Sequence, residues 1–316
     1  MSIGLPYMGS KRKIAKDIVD VILAENPNTK YVYDVFGGGG AISFEFAKRG
    51  IKVYYNDLDT SIVELLKKVT SEGVTKEFYN WIDREEFVKA KDSKNWKLGL
   101  IKTCWSFGNN YEKGYLYGKK IENSKRLLHN IIVNKCTTSI DEFNLISNIE
   151  IPLDVLDSEN IQDRRLSLMK FIKSKFGRID LEHLERINNL QNLWKNFEKD
   201  INKSRMLEHL SNINNVEKLQ NYNLIEFSNK SYVDIAFETA LNETIIYCDP
   251  PYLNTEKYGE GVCHNTFQNW VINNKYKTYI SSYEFPLKIV WQKEHKSTLS
   301  ATNNSKVVTE KLFCNK

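Results

Sequence analysis

Near the N-terminus the apolar positions change period twice. Ile14, Ile18, Val21 and Ile22 recur at helical spacing, so the stretch from Ile14 to Leu23 is predicted to form a helix with one buried face. Tyr31-Val32-Tyr33-Asp34-Val35-Phe36 is β-branched and aromatic, the composition of a strand, and it runs directly into Gly37 to Gly40. Helical spacing returns from Ala41 to Lys48, and Ile51-Lys52-Val53-Tyr54-Tyr55-Asn56-Asp57 reads as a second strand. A strand, glycine turn, helix and strand within about thirty residues make a βαβ unit, with parallel strands and a right-handed crossover.

The pattern then changes. From about Asp59 to Val216 the apolar residues keep mostly helical spacing, and Pro152 is the sole proline of that stretch. One segment departs from it. Cys104-Trp105-Ser106-Phe107-Gly108-Asn109-Asn110-Tyr111 and Gly114-Tyr115-Leu116-Tyr117-Gly118 alternate aromatic residues around glycine and asparagine, which predicts a hairpin or structured loop. Leu181-Glu182-His183-Leu184 is echoed by Leu207-Glu208-His209-Leu210, and two copies suit a pair of similar helices better than a repeat protein. Thr244-Ile245-Ile246-Tyr247-Cys248 is a buried-type strand that stops at Asp249-Pro250-Pro251-Tyr252, and Thr278-Tyr279-Ile280-Ser281-Ser282 reads as another strand. The economical architecture is one α/β domain drawn from both ends of the chain, 1–60 and 225–316, with a mostly helical insertion over 61–224.

Composition narrows the class. The 316 residues are 41% hydrophobic and 27% charged, enough for a packed core and too apolar for wholesale disorder. The 45 Lys and Arg against 40 Asp and Glu leave a charge of +5, too small to indicate nucleic-acid binding by itself. No apolar run approaches the roughly 18 residues of a membrane span, and the first residues lack a basic stretch followed by an apolar one. Both features point to a soluble, cytoplasmic protein. Cys104, Cys136, Cys248, Cys263 and Cys314 contain no C-x-x-C pair, which argues against a zinc knuckle or a disulfide framework, and no metal-ligand spacing is visible along the chain.

Two places carry candidate chemistry. Glycines after a strand let the backbone take positive φ and approach a ligand, with a helix N-terminus facing it, although a plain tight βα turn would also use them. Asp57 ends the second strand, where a carboxylate can accept both hydroxyls of a ribose. The second place is Asp249-Pro250-Pro251-Tyr252. Consecutive prolines make a stiff extended turn whose carbonyls stay free. A carboxylate beside a rigid carbonyl offers two acceptors for an exocyclic amine, and the tyrosine offers a flat face on which a base can stack.

These motifs resemble those of S-adenosylmethionine-dependent DNA amino-methyltransferases. Asp249-Pro250-Pro251-Tyr252 resembles their catalytic motif, and Asp34-Val35-Phe36-Gly37-Gly38-Gly39-Gly40 their first methyl-donor motif. Tyr7-Met8-Gly9-Ser10-Lys11 is similar to the N-terminal donor motif, and Tyr54-Tyr55-Asn56-Asp57 to the ribose-binding strand end. The order of donor motifs, long insertion and catalytic motif is that of the alpha group, which includes the Dam-like N6-adenine methyltransferases. The later Ile280-Ser281-Ser282-Tyr283-Glu284 and the tail from Ser297 to Phe313 resemble phage and restriction-system members.

The resemblance implies a Rossmann-like methyltransferase sheet with an inserted target-recognition domain, S-adenosylmethionine as cofactor and double-stranded DNA as partner. A cognate restriction endonuclease is a further candidate partner. It assigns catalysis to Asp249, Pro250, Pro251 and Tyr252, with Tyr252 stacking on a flipped adenine. It assigns the donor to Tyr7, Lys11, Asp34, Phe36, Gly37, Gly39, Asp57 and Asp249. Two departures stand out. Phe227-Ser228-Asn229-Lys230-Ser231-Tyr232 lacks the acidic residue that holds the donor's adenine in many members, leaving Asn229, Ser231 or backbone to substitute. Pro6 replaces the base-reading lysine of GATC methylases.

In the insertion, Phe107, Asn109 and Tyr115 with Lys119 and Lys120 are the DNA-binding candidates, supported by Lys125 and Arg126 as phosphate-binding charge. Arg164, Arg165, Lys170, Lys173, Lys175 and Arg178 form a second basic stretch that a solvated helix face would explain equally well. His183 and His209 are expected to be structural or surface residues. Three functions fit this pattern: N6-adenine methylation, N4-cytosine methylation and DNA binding by a catalytically silent relative. Serine rather than aspartate is commoner at the first catalytic position of the N4-cytosine class, so Asp249 favours adenine.

Overall fold

A computed structural model describes residues 3–7, 9–147, 149–175, 207–220, 222–251, 263–296 and 307–316. Helix α1 (Ala15–Glu25) buries Ala15, Ile18, Val19 and Ile22, the face its periodicity predicts. Strand β1 (Tyr31–Asp34) leads through the glycine turn into helix α2 (Ala41–Ala47) and strand β2 (Lys52–Asn56). β1 and β2 are parallel, with Val32 opposite Val53, which completes the βαβ unit. Helix α3 (Thr60–Glu72) is capped by Asp59, whose carboxylate accepts the Ser61 N–H at 3.1 Å.

Strands β3 (Ile225–Ser228), β4 (Thr244–Cys248), β5 (Lys277–Ser282), β6 (Lys288–Lys296) and β7 (Val307–Cys314) complete a mixed sheet that has seven strands among the described residues. Its order is β3-β2-β1-β4-β5-β7-β6. The pairs from β3 to β5 are parallel, while β7 runs antiparallel to both β5 and β6. The chain winds outward from β1 in one direction and from β4 in the other. The strand order therefore reverses between β1 and β4, and ligands of open α/β sheets bind outside the carboxyl ends of strands at such a point. Asp34 ends β1 and Asp249 follows β4, so both acidic residues flank this crevice. β4 is buried throughout, as its continuous apolar run predicts, and Cys248 on it is a small core residue.

The remaining described helices are α4 (Arg84–Lys89), α5 (Trp96–Cys104), α6 (Lys119–Asn134), α7 (Thr137–Ser147), α8 (Ile161–Lys175), α9 (Glu208–Glu217) and α10 (His264–Ile272). The chain divides into two compact units. The first comprises Met1–Val74, Ala90–Thr103 and Asn215–Lys316, and holds the sheet. α3 falls within it and buries Ile62, Val63, Leu65, Leu66 and Val69. The second comprises Thr75–Lys89 and Cys104–Asn214.

Within the second unit, α6 buries Leu127, Leu128, Ile131 and Ile132. Arg164, read from the sequence as surface charge, is instead 4% exposed. Its guanidinium donates to the Ile132 and Val133 carbonyls at 2.6 and 3.2 Å, satisfying acceptors that the end of α6 leaves open. Lys125, expected on the DNA-facing surface, is 2% exposed and lies 5.5 Å from the Tyr117 ring centre. In both cases a long cationic side chain crosses an apolar layer to reach carbonyls or an aromatic face, which charge along the sequence cannot reveal. His183, Arg178 and the first Leu-Glu-His-Leu copy lie outside the described residues. Among the described residues no helix is long and apolar enough to cross a membrane.

Candidate functional site

The glycine turn is held from three sides. Tyr55 lies beneath Gly37, where a Cβ would come within 2.1 Å of the tyrosine ring. The Tyr55 hydroxyl donates to the Gly38 carbonyl at 2.7 Å. Gly40 opens α2 with φ of 75°, a left-handed conformation that glycine adopts without a Cβ penalty. From the N-terminal segment, the Leu5 N–H donates to the Gly39 carbonyl at 2.7 Å, and Tyr7 lies against Gly38 and Gly39. The N-terminal motif and the glycine motif, separate in sequence, thus form one surface.

Asp57 is half-buried just past β2. Its carboxylate accepts the Gly38 N–H and the Asp59 N–H, each at 2.8 Å. Burial raises its pKa, and these two amide hydrogen bonds oppose that rise. The residue predicted to bind ribose therefore also braces the glycine turn. Carboxylate oxygens keep further lone pairs, so ribose hydroxyls can still be accepted. Asn229 is exposed; its amide donates to the Asp57 carbonyl at 2.6 Å and its oxygen accepts from Thr60 at 2.9 Å. Phe36 packs on Phe267 and Tyr232, at 5.5 and 5.8 Å between ring centres.

Asp34 is 1% exposed. Ser43 Oγ donates to its Oδ2 at 2.6 Å, while Oδ1 is buried without a hydrogen-bond partner. Burial pushes the Asp34 carboxyl up from 3.8 to about 7, aided by the charges of Asp249 and Asp57 and opposed by Ser43. A buried acceptor without a donor is costly unless a ligand supplies one.

Asp249 is 20% exposed and Pro250 is buried, while Tyr252 lies outside the described residues. Lys11, from a short turn at Lys11–Lys13, is 8% exposed. Its Nζ lies 2.9 Å from Asp249 Oδ1 and 3.7 Å from Glu310 Oε1. Burial alone would lower the Lys11 pKa, but Asp249, Glu310 and Tyr283 outweigh it and raise it. The first unit thus brings together Tyr7, Lys11, Asp34, the glycines, Asp57 and Asp249. Tyr55, Ser43, Ser281 and Glu310 were not among the site residues read from the sequence. Tyr55 could have been found there, since a large residue must fill the space under a glycine turn. Nothing around Glu310 in the sequence distinguishes it from any other charged residue of an edge strand.

In the second unit, the segment after α5 is the structured loop its pattern predicts. Ser106 bridges Tyr115, and the Phe107 N–H donates to the Gly114 carbonyl at 2.9 Å. Phe107 is 53% exposed, and Asn109 has φ of 55°. Lys119 and Lys120 are exposed in the first turn of α6. Tyr115, a candidate DNA contact, is taken up by packing. Its hydroxyl donates to the Ile82 carbonyl at 2.6 Å, and the Arg84 guanidinium sits 4.8 Å from its ring centre. Tyr111 likewise stacks on Phe87 at 4.6 Å between ring centres.

The loop is anchored on a buried polar chain. The Tyr117 hydroxyl lies 2.7 Å from His209 Nδ1, and His209 Nε2 lies 2.9 Å from His129 Nδ1. His129 completes the chain with a hydrogen bond to the Tyr79 backbone. One tautomer set satisfies every member: Tyr117 donates to His209, which donates to His129, which donates to Tyr79. Burial lowers His129 to about 4 and His209 well below its ordinary value, so both rings are neutral near pH 7. Trp105 stacks on His209 at 4.1 Å, and Trp81 packs edge-on. His209 is therefore structural, as expected from the sequence.

Among the described residues no cluster of His, Cys, Asp and Glu could hold a metal ion. No curated protein matches the chain. A family model described as D12 class N6 adenine-specific DNA methyltransferase matches residues 7–269. That span starts at the tyrosine against the glycine turn and continues past Asp249 through most of α10. The match covers most of the chain, which therefore belongs to the D12 class N6 adenine-specific DNA methyltransferases.

Proposed function

We propose that this methyltransferase draws its methyl group from S-adenosylmethionine and transfers it to a flipped-out adenine of double-stranded DNA at Asp249. The observation that carries the reading is the placement of Asp249 and Pro250 at the carboxyl end of β4, beside the glycine turn and across the switch point from Asp34.

The residues present fit the donor. The unpartnered Asp34 Oδ1 suits a ligand that brings a hydrogen-bond donor or positive charge. The glycine turn presents backbone without side chains, Tyr7 lies against Gly38 and Gly39, and Asp57 stands where ribose hydroxyls would be accepted. When bound, S-adenosylmethionine supplies an electrophilic methyl on a sulfonium.

The protein's task is to make a poor nucleophile attack. The N6 lone pair of adenine is delocalised into the ring. The Asp249 carboxylate and the Pro250 carbonyl accept hydrogen bonds from the amine and favour a tetrahedral nitrogen. Their fixed positions stabilise charge that develops as the methyl is transferred. Lys11, bonded to Asp249, limits the orientations that the carboxylate can take. Tyr252 stacks on the extruded base.

Target recognition falls to the second unit and belongs with the insertion read over 61–224. Lys119 and Lys120 stand at the N-terminus of α6, where cations oppose the helix dipole unless an anion is bound. Phosphate contacts there, with Phe107 and Asn109 on the neighbouring loop, suit a DNA surface. A DNA-modifying enzyme of this kind works in the cytoplasm, and a restriction endonuclease of the same specificity is its natural partner.

Mass analysis of nucleosides from DNA of a methylation-null host expressing the chain tests the reading. N6-methyl-2′-deoxyadenosine is expected, and N4-methyl-2′-deoxycytidine or unmodified DNA would overturn it.

A further inference from the structure

One member of the crevice lies outside both motifs. Glu310 on β7 is 2% exposed and falls beyond residues 7–269, which the family model matches. Its Oε1 accepts a hydrogen bond from Ser281 Oγ at 2.8 Å and lies 3.7 Å from Lys11 Nζ. The same ammonium is 2.9 Å from Asp249 Oδ1. A carboxylate this deeply buried is tolerated only with paired charge and hydrogen bonds, and Ser281 and Lys11 contribute both.

We propose that Glu310 is a positioning residue for methyl transfer, acting on Asp249 through Lys11. The inference rests on the reading that Asp249 accepts the adenine amine, and two arguments lead to it. The first is mechanical. Lysine carries its charge on a flexible four-carbon stem, and each carboxylate that holds the ammonium narrows the positions open to it. Glu310 sits on a strand hydrogen-bonded to β5, and β5 pairs with β4, which ends at Asp249. A second anchor on the same sheet therefore fixes the ammonium, and with it the Asp249 carboxylate.

The second argument is electrostatic. Lys11 and Asp249 alone cancel. Adding Glu310 leaves the trio with one net negative charge, which complements the positive charge that passes to the amine nitrogen as the methyl is transferred.

Glu310→Gln keeps the shape and the acceptor for Ser281 but removes the charge. With purified full-length protein and DNA from a methylation-null host, kcat should fall by about tenfold or more. The KM for DNA and the Kd for S-adenosylmethionine should stay within about twofold, since the lost interaction matters chiefly in the transition state. In ligand-free protein, NMR titration of isotopically labelled lysines should show Lys11 releasing its proton at lower pH. The groups facing Lys11 are Asp249, Glu310 and Tyr283, and only Glu310 has lost charge.

Lys11→Met supplies the cycle. If Glu310 acts through Lys11, adding Glu310→Gln to Lys11→Met lowers kcat no further, whereas additive losses overturn the inference. Full kcat for Glu310→Gln, or a loss confined to KM and thermal stability, also overturns it. Ser281→Ala frees Glu310 without changing its charge, and should lower kcat in the same direction if Glu310→Gln fails to fold. Asp249→Asn separates the two levels. Retained turnover there refutes the reading of Asp249 itself. An inactive Asp249→Asn beside a fully active Glu310→Gln refutes only the positioning role.

Discussion

Asp34→Asn should stabilise the ligand-free protein, and by an amount that grows with pH. The unfolded chain ionises this carboxyl near 3.8, whereas the fold holds it protonated up to about 7. Between those values the folded state binds one more proton than the unfolded state. The stability associated with Asp34 is therefore fully present below 3.8 and is lost as pH rises through 7. A rise of about 3 pKa units at roughly 1.4 kcal/mol each puts the full penalty near 4 kcal/mol, in a residue that is 1% exposed. Asparagine never ionises, and its oxygen can still accept from Ser43. The variant's advantage should grow by roughly 1.4 kcal/mol per pH unit up to 7, then level off. Native-state hydrogen exchange of β1 and α2 amides reads the opening of this unit alone. Equal protection of the two proteins from about pH 5 to about pH 8 would refute the burial argument. The stabilised variant should also bind S-adenosylmethionine at least about tenfold more weakly, the usual exchange between stability and function at a strained site.

Asp57→Ala removes the acceptor of the Gly38 and Asp59 N–H groups, so it should weaken donor binding and also loosen the glycine turn by about 1–3 kcal/mol. Calorimetric titration that shows an unchanged Kd would contradict it. His209→Ala removes the hydrogen bonds that His209 makes with the Tyr117 hydroxyl and His129 Nδ1 in a buried site, and should destabilise the second unit by about 3 kcal/mol. A shift below about 0.5 kcal/mol in exchange protection of α6 would show that the chain of hydrogen bonds adds nothing. Lys119→Ala should lower methylation of duplex DNA and flatten its salt dependence by about one unit, with donor binding intact. Identical rates at every salt concentration would remove Lys119 from the DNA surface.

The amino-acid sequence by itself determined the elements and the motif-bearing half of the candidate site. Continuous apolar runs at β1 and β4, the helical period of α1 and the glycines between β1 and α2 are local signals, set by steric preference and burial within a few residues. Asp34, Asp57 and Asp249 were legible because each ends or follows such a strand, where an α/β sheet presents side chains to ligand.

Tertiary structure decided what depends on residues far apart in sequence. The strand order, and with it the switch point, follows from pairing across the whole chain. Only that pairing brings Lys11 between Asp249 and Glu310, and Leu5 and Tyr7 onto the glycine turn. Charge along the chain was the least informative signal. Lys119 stays exposed, whereas Lys125 and Arg164, which look alike in sequence, turn inward onto an aromatic ring and open helix carbonyls. A cation's surroundings are set by what the fold packs against it, and residue type alone does not carry that information.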